Sequence, residues 1–388
     1  MILNRKMASF LLCALSLWPH SKNLLNANDC SHKNPICPSP SFPPCELKNC
    51  EMINSAYRFK PCDEKADIAV FADFLYWAAK EGGLNYTITS QTPIAILSIP
   101  PPPPIVGAKV KSIHTAKNPG VRVGMSLFFD HDDWNGSLLW THLDTRKDGS
   151  ATTGGDLDRQ VTTNWIHPIT SILFASSVKA HWELHFNTLD AELGRRFWLG
   201  KAYMIQPFFG LKAAWIHQHF GITYFNPSDN TFNPDNTLIP FFSQVRVLLK
   251  NQNWGLGPRV GIYSSWHLAK HWDFYGKAAA SLLFSWFDIK NKTTNTDLLR
   301  PVVTLPSLGL NDHFYTIKTN LELALGIQWE STIFEQQHLV IKAGWEQQYW
   351  FGMNLMDHFI VLRPTAFTVQ EQQNLSLAGI VLGAQLEF

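Results

Sequence analysis

The segment LSLAGIVLGAQLEF (Leu375–Phe388) ends the chain on a strict alternation. Counting back from Phe388, Leu386, Ala384, Leu382 and Ile380 hold one apolar face, and Glu387, Gln385, Gly383 and Val381 take the other. A period of two marks a strand, because successive side chains leave a strand on opposite sides. A strand ending on an exposed edge leaves N–H and C=O groups unpaired, so it needs a neighbour to close against.

The same period recurs upstream. Asp67–Ala79 opens with Phe71, Leu75 and Trp77 on one face and Asp73 among them. Gly120–Asp144 reads as a hairpin, with Val121, Val123, Met125 and Leu127 on one arm and Leu138 and Trp140 on the other, joined at His131-Asp132-Asp133. Ser177–Glu192 pairs with the stretch from Tyr203 to Trp215, Gly255–His267 with Trp272–Asp288, and Tyr315–Trp329 with His338–Met353. Ten strands follow: one, four hairpins, one. Further strands at 84–90 or 240–250 would raise the count to twelve.

The connections alternate as strictly as the residues. Those inside hairpins are short; those between hairpins, roughly 80–118, 146–176, 224–251, 290–312 and 354–374, are long and rich in Asn, Thr, Pro, Asp and Gly. Both chain ends fall on the short-turn side. An even strand count, short turns at one end and long loops at the other define an outer-membrane barrel. The expected fold is therefore all-β, a transmembrane antiparallel up-and-down β-barrel with short periplasmic turns and long external loops. The strand ending at Phe388 should close it by pairing with Asp67–Ala79.

Composition agrees. Charged residues make up 16% and aromatics 13%, with 15 Trp, and Trp favours the membrane–water interface. Lys and Arg (32) nearly cancel Asp and Glu (31), so no basic field exists to attract nucleic acid. Arg5 and Lys6 precede an apolar stretch from Met7 to Trp18, the order of a secretory signal, too short to span a bilayer as a helix. The expected organisation is a signal peptide over 1–27, a Pro/Cys-rich periplasmic segment over 28–66 and the barrel over 67–388.

A charge facing mid-membrane lipid costs about 2–4 kcal/mol. Charged members of the strands are therefore expected to line the lumen: Lys179, His181, Glu183, His185, Lys212, Lys277, Lys318 and Glu322, with Asp73, Lys277 and Lys318 pointing inward or lying near an interface. On this reading Val178, Ala180, Trp182, Leu184 and Phe186 face lipid. Cys30, Cys37, Cys45, Cys50 and Cys62 crowd one short segment without C-x-x-C spacing, which in an exported chain points to disulfides. Five is odd, so at least one thiol is free or pairs with another chain.

The stretches ADFLYWAAKEGGLNYT (Ala72–Thr87), PGVRVGMSLFFDHDDWNGSLLWTHL (Pro119–Leu143) and GPRVGIYSSWHLAKHWDFYGKAAASLLF (Gly257–Phe284) resemble the Legionella-type major outer membrane protein family of pore-forming, MOMP-like proteins. The resemblance covers about 67–388 and is most specific in the D-F-L-Y-W opening and the terminal aromatic. It implies a bacterial outer-membrane barrel with porin activity and offers no catalytic residues. The terminal strand, through Ile380, Leu382, Ala384, Leu386 and Phe388, also resembles the signal recognised by barrel-assembly machinery. Expected partners are outer-membrane lipid, that machinery and, through disulfides, other envelope proteins. The Pro/Cys-rich segment lies outside the shared core.

Three other features carry less. His181, Glu183 and His185 stand about 7 Å apart along one strand face, too far for a compact metal site. HWELH is not the helical H-E-x-x-H motif. His142, Asp144, Asp288, Asp312 and His313 fall near the long-loop rim, where a barrel enzyme would assemble acid–base groups, yet no spacing selects a set. Pro100–Pro104 favours extended polyproline geometry in the first long loop. No catalytic, cofactor or metal residues are assigned. The alternatives to a pore are a cross-linked structural protein or adhesin, and a barrel enzyme.

Overall fold

The computed structural model describes residues 67–90, 108–115, 117–129, 133–153, 160–166, 174–199, 202–228, 242–297, 304–333, 337–362, 365–370 and 372–388. The expected signal peptide, the five cysteines of 28–66 and Pro100–Pro104 lie outside them.

Ten staves form one closed antiparallel sheet: β1 (Asp67–Glu81), β2 (Lys117–Phe128), β3 (Trp134–Thr152), β4 (Ser177–Arg195), β5 (Tyr203–Phe225), β6 (Phe242–Ala269), β7 (Trp272–Asp297), β8 (Thr304–Ile333), β9 (Gln337–Asn354) and β10 (Gln373–Glu387). Each pairs with its sequence neighbour, and β10 pairs with β1 to close the ring, from Glu81↔Leu375 to Ala69↔Glu387. The Phe388 amide donates to the Ile68 carbonyl at 2.9 Å, continuing the seam to the last residue. Short-turn ends are tight: Lys270-His271 joins β6 to β7, with His271 at φ 70°.

Both twelve-stave possibilities are corrected. Residues 242–250 are strand, but they extend β6 to 28 residues rather than adding a stave. Asn85–Ser90 is strand too, in a separate four-stranded sheet with 109–112, 160–162 and 174–175. Several staves therefore run far into what alternation alone marked as long loops, β7 to Asp297 and β8 from Thr304. Residues 357–362 and 365–370 add a two-stranded hairpin.

The outward face fixes the membrane. A row of aromatics nearer the long loops comprises Tyr76, Trp140, Trp215, Trp254, Trp286 and Tyr315; Phe129, Trp134, Tyr203, Trp266, Trp272 and Trp329 mark the short-turn side. Between them the exposed side chains are apolar, among them Phe74, Val123, Leu211, Val260, Leu282, Leu323 and Leu382. From Trp272 to Trp286, a strand rising about 3.4 Å per residue and tilted about 45° covers roughly 34 Å of the membrane normal. That is a hydrocarbon core with its interfaces.

Candidate functional site

Inside the band, the lumen holds charge. Lys212 Nζ lies 2.7 Å from Asp190 Oδ1 and 2.9 Å from Glu322 Oε1. Arg259 donates to both Glu322 oxygens at 2.7 Å and, through Nε, to Glu192 at 2.9 Å. Lys277 then donates to Glu192 at 2.9 and 3.0 Å. This chain of three acids and three bases runs over β4, β5, β6, β7 and β8. A second chain sits opposite: Lys342 is 3.2 Å from Asp73, Arg122 is 3.5 Å from Asp73, and Arg122 grips Glu346 at 2.8 and 2.9 Å. Thr141 on β3 accepts from Arg122 Nε at 3.1 Å. Each chain is neutral by itself.

Aromatic layers enclose these ions. Arg122 lies 5.6 Å from the Trp77 ring and Lys212 lies 5.7 Å from that of Trp350 on the long-loop side. On the short-turn side, Lys277 is 4.8 Å from Phe208 and Lys342 is 5.2 Å from Phe71. Inward glycines make the room: a Cβ at Gly261 would strike Phe208, one at Gly124 would strike Phe71, and one at Gly383 would strike both Asp73 and Lys342. Lys212 is 0% and Arg259 2% exposed, so both cations are shielded from water by their partners and the aromatic rings.

Above the band the inside turns apolar. Trp182, Phe186, Phe220, Ile222 and Tyr224 on β4 and β5 pack with Trp77, Trp350 and the loop residues Tyr86, Val161 and Trp165. Tyr224 donates to the Tyr86 carbonyl at 2.8 Å, and Trp165 to that of Asn85 at 2.6 Å. The loop strands therefore fill the mouth.

This placement divides the residues read as lumen-lining. Lys212, Lys277, Lys318 and Glu322 share the inward face. Lys179, His181, Glu183 and His185 do not, and their assignment is corrected: they stand on the outer wall of β4, while Val178, Ala180, Trp182, Leu184 and Phe186 point inward, each 3% exposed or less. The physical reason is depth. Trp140 pairs with Leu189 at the interface, so residues 177–185 lie above the lipid, where the outside meets water and the inside meets packed loops. Polarity inverts along a single strand without any change of parity.

The outer wall there is a polar network. His181 pairs with Asp148 at 2.5 Å and Glu183 at 2.9 Å, and Arg146 reaches Glu183 at 2.6 Å. Burial pulls the His181 imidazole down, but hydrogen bonds to Glu183 and Asp148 and their charges outweigh it and raise its pKa. The His181 hydrogen bond holds Glu183 below the usual carboxylate range. His217 and His219 are pushed down, chiefly by burial. The rim residues considered for an enzyme do not converge. Asp144 meets His142 at 3.6 Å and His185 at 2.8 Å, whereas Asp288 meets His313 at 3.4 Å two staves beyond β5. Among the described residues, no group of three or more His, Cys, Asp or Glu could hold a metal ion.

The terminal residues Ile380, Leu382, Ala384, Leu386 and Phe388 all share the outward face of β10 and its extension, with Leu382 50% and Phe388 55% exposed. Sequence reasoning missed the partners Asp190, Glu192, Arg259, Lys342 and Glu346. The available signal was a charge at an inward position of most membrane-depth strands, such as Lys212 on β5 and Arg259 on β6.

A closed ten-stave barrel with a girdled apolar wall and a packed polar interior defines a bacterial outer-membrane β-barrel protein. The chain belongs to the family described as Legionella pneumophila major outer membrane protein precursor, whose model matches residues 59–388. No curated protein matches it. Among solved structures, it is similar to the outer membrane protease OmpT from Escherichia coli, at 9% identity over 83% of this chain and 96% of that one, with a TM-score of 0.36. A major outer membrane protein from Thermus thermophilus gives 11% identity, 84% and 100% coverage and a TM-score of 0.30. A Pseudomonas aeruginosa FadL homologue gives 8%, 84%, 90% and 0.27. At these scores the likenesses carry no argument about activity.

Proposed function

We propose that this protein is a structural outer-membrane barrel, non-enzymatic, whose lumen is sealed at rest. The observation that carries this is the pair of neutral ion chains crossing the lumen at membrane depth, roofed by Trp77 and Trp350. Barrels of this size have interiors that side chains can fill, and here both halves are filled, by ions below and apolar packing above. A second reading is a gated pore for small solutes. It is favoured by the fact that the membrane-depth seal consists of ion pairs, which a permeating ion can replace.

Planar-bilayer recording of the refolded protein tests the seal. The native barrel is expected to show no steady porin-sized steps, whereas the double variant Arg122→Gln, Arg259→Gln should open. Steady steps from the native protein across a range of salts would overturn the sealed state in favour of a pore. Substituting His142 and Asp144 should leave any assayed activity unchanged. The proposed partners are membrane lipid, the assembly machinery through the β10 strand, and envelope proteins through Cys30–Cys62. Migration as a monomer on non-reducing gels of intact envelopes would remove the cross-linking role.

A further inference from the structure

On the outer wall of β6, β7 and β8 the paired residues form level rows. Trp254, Trp286 and Tyr315 make one row, with the two indoles stacked 4.0 Å apart. Two steps toward the long loops, Lys250 and Lys290 are direct partners. Like charges placed opposite each other on neighbouring strands destabilise a sheet unless an anion lies between or over them. Lys292 pairs with Leu248 in the next row, and Arg246 with Thr294 in the one beyond. Lys290 is held by Asp288 at 2.7 Å, while Arg246, Lys250 and Lys292 are exposed and have no carboxylate partner among the described residues. Arg246 and Lys250 also line a hollow of about 810 Å³ shared with Lys179 and His219, and with Asp148 and Glu183, whose charges are taken up by His181 and Arg146.

Directly below, in the lipid band, the same three staves and Gln347 and Tyr349 of β9 line a groove of about 540 Å³. Its floor is Ala278 and Ala280, and its walls are Val260 and Ile262 on one side and Leu321 and Leu323 on the other. The small side chains of β7 leave a channel between larger neighbours. It lies midway between the aromatic rows, where the tail of an outer-leaflet acyl chain ends.

We infer that this face binds a phosphorylated lipid of the outer leaflet, with its phosphates on Arg246, Lys250, Lys290 and Lys292 and an acyl chain laid over Trp286 into the Ala278–Ala280 groove. Charge complementarity selects the headgroup: by the same rise and tilt, Lys250 and Lys290 stand about 10 Å, Lys292 about 14 Å and Arg246 about 19 Å beyond the interfacial tryptophan row, on the headgroup side of the lipid band. The inference rests on the membrane placement alone and is independent of whether the lumen conducts.

Native mass spectrometry of the full-length protein in micelles can compare three probes: diphosphoryl lipid A, the same lipid without phosphates, and inorganic phosphate. Diphosphoryl lipid A should be retained. The triple variant R246Q/K250Q/K292Q should weaken it by about 100-fold, from about 1 kcal/mol per cation near an anionic surface. A triple variant of equal charge change elsewhere, K80Q/K109Q/K117Q, should retain it. Filling the groove with Ala280→Phe should weaken lipid A without changing inorganic phosphate. Heat-modifiable gel mobility identifies which variants are folded. Equal losses in both triple variants, equal retention of the dephosphorylated lipid, or full competition by equimolar inorganic phosphate would each overturn the site.

Discussion

Arg122 holds Glu346 by both carboxylate oxygens, at 2.8 and 2.9 Å, although 224 residues separate them in sequence. Two staves, β10 and β1, stand between their own, so the contact cuts across the lumen rather than following the wall. The contact therefore braces β2 against β9 across the interior.

Removing one member of a buried pair leaves its partner as an uncompensated charge, at a cost of about 3–5 kcal/mol. Arg122→Gln should destabilise the barrel by that order in denaturant unfolding followed by tryptophan fluorescence. The double variant Arg122→Gln, Glu346→Gln should recover part of the loss. Additive losses in the double variant would mean that the two side chains do not act as a pair.

Gly383 faces inward beside the Asp73–Lys342 ion pair, and a Cβ there has no free space. Gly383→Ala should destabilise by about 1–3 kcal/mol through overpacking. Gly309→Ala is the control, since nothing lies within 4 Å of its Cβ position. Equal unfolding midpoints for the two variants would place Gly383 off the packed face.

Phe388 extends the closing seam and points outward to lipid. Deleting it should slow insertion into vesicles more than Phe351→Ala does, because Phe388 continues the β10–β1 seam that closes the ring, whereas Phe351 lies outside that seam. Inserted molecules should remain sealed. Normal insertion kinetics without Phe388 would remove its role in assembly.

The external histidines should titrate in opposite directions from the ordinary value near 6.5. His181 is raised by Glu183 and Asp148 once burial is overcome, so its contribution is complete below about 6.5 and is lost as pH rises through the raised value. His217 and His219 are lowered, so below about 6.5 the unfolded chain takes up protons more readily and they oppose the fold. Imidazole resonances followed by NMR in micelles check this, with His181→Gln and His217→Gln as assignments. A His181 midpoint below that of His217 would contradict the cluster geometry.

Much of the scaffold was legible in the residues because strand alternation and loop length are local properties. Leu375–Phe388, the hairpins and the pairing with Asp67–Ala79 need only period two and the rule that a spanning sheet must close. Residues 242–250 and 304–312 were harder: outside lipid, a strand has no apolar face to keep, so its alternation fades into the composition of a loop.

The site was less legible, and residues 178–186 show why. Their alternation was plain, but the choice of which side is inside followed a rule that holds only at membrane depth. Trp182 and Phe186 look as though they face lipid until Trp165, Tyr86 and Phe220 are found packed against them.

By itself, the sequence determined closure: the order of the staves, their seam and the end that bears the long loops, from local periodicity and loop length. Only the tertiary structure decided what the enclosed space contains. Whether Lys212 meets Asp190 and Glu322, or Arg122 meets Glu346, depends on barrel radius and stave register across the ring. Those are set by all ten staves together, and no single strand encodes them.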